Sequence, residues 1–381
     1  MRFIHFAGNA ARLLTVVATL AGIAVAAPAA AVSARPLATP SFNGSVYAIA
    51  YRGSTVYVGG SFTSAASGGR SYARQRLAAF DARTGALLPW SPAADRTVRA
   101  LAVSDTSVYA GGDFGTVSGL RRDNLARLDA VTGGVGAFAH QISGAPYALA
   151  IGNGRLYAGG SFTAVDGFRR DNLAAFSLAA GTLDGGWQPR ADDAVHAVTA
   201  YRARVFVGGS FHQVNDVRGT LRIAAVDGAR GSVDRAFLPA SPAQVNAIAV
   251  DEAGVYAATG GQGGRAVAYT TRGAVRWQRL FDGDAVAIAT LGGVTYVGGH
   301  FDRACRTLAN GAHGTCTDGS VSRVKLAAVS ATGALTGWAP QANGVIGVRA
   351  LAVDRSRGGI GAGGDFTTVN GQSRRRYAAF S

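Results

Sequence analysis

Lysine and glutamate are almost missing from this chain: Lys325 and Glu252 are the only examples in 381 residues. Cysteine is nearly as scarce, with two, and charged residues reach only 15%. Two cysteines cannot staple a chain of this length, which excludes a disulfide scaffold. Sparse charge beside 48% hydrophobic residues excludes a disordered chain. No Gly-X-Y period is present, so there is no collagen helix. No G-x-S-x-G element or zinc-protease motif occurs, and a glycosidase would have to draw its carboxylate pair almost wholly from aspartate. What is abundant is glycine, 54 residues, a content that disfavours long helices.

The charge that exists is one-sided. Lys plus Arg is 37 against 22 acids, a formal +15. Such a balance raises nucleic acid, an anionic polymer or a membrane surface as partners. The N-terminus narrows this. Arg2 and Arg12 precede an apolar run from Leu13 to about Ala27, and small residues follow to Val32-Ser33-Ala34. That order reads as a secretory signal peptide over residues 1–34, cleaved after Ala31 or Ala34. The run is short for a membrane span and no second one follows. The expected product is secreted, extracellular or wall-associated, without a membrane span. Loss of Arg2 and Arg12 leaves 15 − 2 = +13, and export argues against genomic nucleic acid as a partner.

Internal repetition decides the fold class. Val46-Tyr-Ala-Ile-Ala…Val56-Tyr-Val-Gly-Gly-Ser-Phe62 returns from Val98, Pro146, Val195, Val245, Ala285 and Val348, giving seven copies. Each copy holds two alternating, β-rich segments and a third typified by Asn172-Leu-Ala-Ala-Phe176. A fourth ends in Trp90, Phe138, Trp187, Phe237, Trp277 or Trp338. Turns such as Asp81-Ala-Arg-Thr-Gly85 join the third and fourth. The pattern predicts an all-β chain, a seven-bladed β-propeller of four-stranded antiparallel blades, in one domain over residues 35–381. The last copy stops after its third segment, while Leu37-Ala-Thr-Pro40 precedes the first. The N-terminal strand is therefore expected to pair with the last blade and close the ring. The paired glycines, such as Gly59-Gly60, are expected to mark close backbone approach or a bulge. The tryptophans are expected to pack between blades.

The combination of Val-Tyr-Val-Gly-Gly-Ser-Phe, Arg-Asp-Asn-Leu-Ala-Ala-Phe, Thr-Gly and Trp-x-Pro resembles the delta-60 repeat propellers of secreted bacterial proteins. The resemblance covers residues 37–381 and implies a fold and an exported setting, with no reaction and no catalytic residues to carry over. The fifth copy departs from it, with Ala258-Thr-Gly-Gly261 in place of Gly-Gly-Ser-Phe. Ala79-Phe-Asp81-Ala-Arg-Thr84-Gly85…Trp90 also resembles the docking motif of quinone-dependent dehydrogenase propellers, one residue longer before the tryptophan. That resemblance implies a quinone pocket and a calcium site. No adjacent cysteine pair or carboxylate cluster accompanies it, so no cofactor and no metal is expected.

Site candidates follow from charge and from unique residues. The loops after the second segments carry 16 arginines against six aspartates, and the loops between copies return about two negative charges, so one face sums to (16 − 6) − 2 = +8. Arg121, Arg122, Arg169, Arg170, Arg374 and Arg375 are the ligand-face candidates, because guanidinium groups grip carboxylate and phosphate at two points. His300 and Asp302 join them on the same face. Cys305 and Cys316, enclosing ten residues of an exported chain, are expected to form a disulfide. The favoured reading is a non-catalytic binding or scaffold protein for an anionic polysaccharide, a wall polymer or another extracellular protein. A hydrolase or lyase with an axial site of Asp and His loops is the alternative, and a quinone-dependent oxidoreductase ranks last.

Overall fold

The computed structural model describes residue 1 and residues 32–381, so the expected signal segment lies almost wholly outside the described residues. Each repeat makes one main antiparallel sheet, and four smaller sheets of two or three short strands lie in the loops. In the first, Val46–Arg52 pairs with Thr55–Gly60, which pairs with Leu77–Asp81. The inner strands of the other six are Val98–Val103, Ile142–Gly152, Val195–Tyr201, Val245–Asp251, Ala285–Leu291 and Val348–Asp354. The only helix among the described residues is one 3-10 turn, Ala312–Gly314. None is long and apolar enough to cross a membrane.

The fourth strand is less regular than the repeat suggests. It is complete in the second sheet, as Val135–Ala139, and in the fifth, as Val275–Leu280. In the first, third, fourth and sixth it shrinks to a single bridge, Phe80 with Leu87, Phe176 with Leu183, Val226 with Val233 and Val329 with Leu335. Proline accompanies the split. Pro92, Pro189, Pro239 and Pro340 stand two residues after the aromatic in those four copies and are absent from the two complete strands.

Seven apolar clusters replace a single core, each lying between neighbouring sheets. Tyr57, Leu77 and Trp90 of the first repeat pack with Val98, Phe114 and Leu128 of the second. Phe42, Phe62 and Phe80 pack with Tyr377 of the last. The tryptophans sit in these seams as expected. The Trp90 indole N–H donates to the Asp129 carbonyl of the next repeat at 2.9 Å, and Trp187 does the same to Asp227 at 3.0 Å. The turn that follows the third strand is held by its aspartate: Asp81 Oδ1 accepts from the Arg83 and Thr84 amides, and Gly85 takes φ +69° to complete it.

Five of the loops that lead into the inner strands are tied down by one side chain each. Asp95 Oδ1 accepts from the Gly115 and Thr116 amides, Asp192 from His212 and Gln213, and Asp282 from Asp302 and Arg303. Asparagine performs the same task at Asn43 and Asn343. Burial at Asp95 pushes its carboxyl up, but the Thr116 and Gly115 donors outweigh it and hold the group below the ordinary carboxylate range. A folded value below the unfolded one gives stability that is present above the unfolded value and lost as pH falls through the folded one. Asp95→Asn is therefore expected to melt at nearly the wild-type temperature at pH 7 and to lose stability less steeply in acid. A thermal-melt series from pH 7 to 2.5 checks this, and an unchanged acid slope would count against it.

Candidate functional site

All seven inner strands carry a β-bulge at the same place. Pairing runs Val46 with Gly60 and then Ala48 with Gly59, which leaves Tyr47 as the extra residue. The same shift isolates Arg99, Tyr147, His196, Asn246, Val286 and Arg349. Paired glycines stand opposite the bulge in six repeats, and the fifth keeps the same bulge opposite Ala258 and Thr259. A Cβ on Gly60 would run into the Ser45 carbonyl oxygen, and one on Gly59 would lie 2.6 Å from Val98 Cγ1 of the next sheet. A bulge re-aims its side chain. Here it aims seven of them at one space, a cavity of about 600 Å³ that the inner strands surround. Beneath them lies an aliphatic layer that includes Ile49, Leu101, Ile248 and Leu351.

The rim side chains touch one another. The Arg349 guanidinium lies 5.1 Å from the Tyr47 ring centre, and Arg99 lies 5.6 Å from that of Tyr147. The Tyr147 ring stacks on His196 at 5.8 Å with 4° between planes. A hydrogen-bonded chain continues from there. His196 Nε2 is 3.2 Å from Ser210 Oγ, whose hydroxyl donates to Gln244 Oε1 at 2.9 Å. Gln244 Nε2 then donates to Asn246 Oδ1, and Asn246 Nδ2 to the Ala285 carbonyl. With the serine hydroxyl donating onward, its oxygen takes the proton of His196 Nε2. Burial pushes His196 below its ordinary value, against a weaker upward pull from Asp193, so the ring is neutral at pH 7. The two arginines differ. Arg99 Nε bonds Asp113 Oδ1 at 2.8 Å, while Arg349 Nε is buried with no partner.

The loop arginines divide by role. Arg122, Arg170 and Arg374 hold backbone rather than face solvent. Arg122 donates to the carbonyls of Arg121 and Gly136, and Arg170, 5% exposed, to those of Arg169 and Asp184. Arg74 and Arg323 repeat the arrangement on Leu88 and Thr336. Arg374 reaches the carbonyls of Pro36 and Leu37 instead. All five stand three residues before their third strand. Arg121 and Arg169 are exposed and paired with Asp123 and Asp171, and Arg375 is exposed.

His300 and Asp302 are not brought together in one cavity. His300 lines a second hollow, of about 560 Å³, with Asp282, Asp284 and His313. The Asp302 carboxylate accepts from buried Lys325 Nζ at 2.8 Å. Cys305 and Cys316 are bonded, with Cα atoms 5.2 Å apart. Their loop crosses to the shortened fifth repeat, where Gln262 donates to the Gly311 carbonyl and Asn310 to that of Gln262. Among the described residues no group of three or more His, Cys, Asp or Glu is arranged to hold a metal ion.

No family model and no curated protein matches the chain. Solved structures do, at low identity. The WD40 β-propeller domain of Doa1 aligns with a TM-score of 0.58 at 12% identity, covering 91% of this chain and 96% of that one. U3-55K aligns at 0.58 and 13%, covering 93% and 99%, and the WD40 repeats of RRP9 at 0.55 and 13%, covering 93% and 98%. The chain is thus an all-β protein of the β-propeller class. At this identity the likeness speaks for the fold alone.

Proposed function

We propose that the protein is an exported, non-catalytic binding propeller of the delta-60 repeat kind, and that its seven sheets are the blades of one ring. Closure is supported by the cluster that joins Phe42 and Phe80 to Tyr377, and by the Leu37 amide donating to the Ala379 carbonyl at 2.8 Å. The observation that carries the binding reading is the inner-strand cavity. Seven bulges, alike in backbone, each present one side chain there, and those side chains are of five different types within an otherwise repeated frame. A residue serving the blade would repeat. The ligand class is an anionic glycan or wall polymer. Exposed Arg375 at the same end, which has no acidic partner among the described residues, supplies long-range attraction that salt screens, whereas Arg121 and Arg169 are offset by Asp123 and Asp171.

Arrayed acidic and neutral glycans, probed with the secreted chain at low and physiological salt, test this. Retention is expected on acidic glycans and should weaken as salt rises. Failure to retain on any glycan at low salt would overturn the glycan reading, and capture by an extracellular protein would redirect it to a protein partner.

A further inference from the structure

The cavity itself narrows the ligand, on the binding reading just given. Its rim is a ring of hydrogen-bonding side chains from six repeats, Tyr47, Arg99, Tyr147, His196, Asn246 and Arg349, at one level of the inner strands. Its floor is aliphatic, and its volume of about 600 Å³ falls within the range of small-molecule sites. A ligand matching both has polar groups around its edge and an apolar C–H face below, which describes a sugar ring.

Charge adds a further constraint. Arg99 is already compensated by Asp113, so among the described residues the rim offers one cation without an ion-pair partner, Arg349, which lines the cavity beside the Tyr47 ring. The planar guanidinium matches a carboxylate at two points, and Asp113 beside the rim disfavours a dianion such as a phosphate monoester. Neutral His196 contributes a hydrogen bond and no second charge. We infer that the cavity receives a hexuronate unit, a sugar ring bearing one carboxylate, with that carboxylate on Arg349 and the ring's C–H face over the aliphatic floor.

Calorimetric titration with a galacturonate or glucuronate trisaccharide, against the matching neutral trisaccharide, tests this on the full secreted chain. The acidic sugar is expected to bind at least tenfold tighter than the neutral one. Arg349→Gln should remove at least tenfold of that affinity, while Arg83→Gln, an equal charge change on an exposed turn remote from the cavity, should alter it less than twofold. Val286→Trp, which fills the cavity from the one apolar rim position, should abolish binding while leaving the melting temperature within a few degrees. Equal losses in the Arg349 and Arg83 variants would overturn the inference, since net charge alone would then explain binding. A larger loss in Arg375→Gln than in Arg349→Gln would also overturn it, moving the acid site to the outer loops while keeping the binding reading. Glycan binding that prefers phosphorylated or neutral sugars would do the same. Absence of all glycan binding by the folded wild type would remove both readings.

Discussion

Gly208→Ala is expected to destabilise the protein by about 1–3 kcal/mol, and adding Val245→Ala to the same chain is expected to recover part of that loss. The new methyl at position 208 would lie 2.5 Å from Val245 Cγ1 and 2.9 Å from Ile248 Cδ1 of the neighbouring repeat. A buried valine at 0% exposure has little room to retreat. The same glycine–valine meeting occurs at Gly59 with Val98, Gly159 with Val195 and Gly298 with Val348. The fifth repeat supplies the natural counterpart. There the glycine is Ala258, and the residue opening the next inner strand is Ala285, both fully buried in one cluster. A methyl gained on one side accompanies two methyls lost on the other. A double-mutant cycle by denaturant unfolding should therefore give a favourable coupling of about 1 kcal/mol or more between positions 208 and 245. Additive losses would show that the seam yields elsewhere, and that the pairing of Ala258 with Ala285 has no steric cause. Gly185→Ala, where a methyl meets nothing within 4 Å, serves as the reference substitution.

How much of this was readable beforehand differs between frame and site. The repeats gave the strand pattern because alternation and turn chemistry act over a few residues, and the paired glycines were read as close backbone approach or a bulge, both of which occur at them, although the bulge also forms opposite Ala258 and Thr259. The prolines after Trp90, Trp187, Phe237 and Trp338 separate the four copies with a shortened fourth strand from the two with a complete one, a difference the repeat pattern alone did not show. The arginines were harder. Composition counts a guanidinium as charge, whereas Arg74, Arg122, Arg170 and Arg323 spend theirs on backbone carbonyls. Their constant offset from the third strand was the available signal, since a recurring residue usually serves the recurring structure. The cavity was missed for the opposite reason. Tyr47, Arg99, Tyr147, His196, Asn246, Val286 and Arg349 span five residue types, so a search for recurring chemistry passes over them. Only the bulges at these positions reveal that unlike residues in register converge on one space.

Deleting residues 35–44 is expected to lower stability by about 4 kcal/mol or more, for reasons that can be separated. Phe42 is 2% exposed and packs on Phe62 at 4.7 Å between ring centres, and losing a buried phenylalanine costs about 3–5 kcal/mol. Asn43, which accepts from the Thr63 and Ser64 amides, goes with it. The third loss concerns Arg374, which donates to the Pro36 and Leu37 carbonyls where its counterparts in other repeats donate to a fourth segment of their own. If residues 36 and 37 serve as that segment for the last repeat, Arg374→Met should destabilise the full chain by about 1–3 kcal/mol, as Arg122→Met should in the second repeat. In the deleted chain the Arg374 substitution should then add little, because its partners are already gone. The Arg122 substitution should keep its whole effect there, being far from the deletion. Denaturant unfolding of the four combinations reads both terms. A deleted chain that melts like the full one, or an Arg374 effect that persists undiminished without residues 36 and 37, would show that the N-terminal segment rests on the last sheet without completing it.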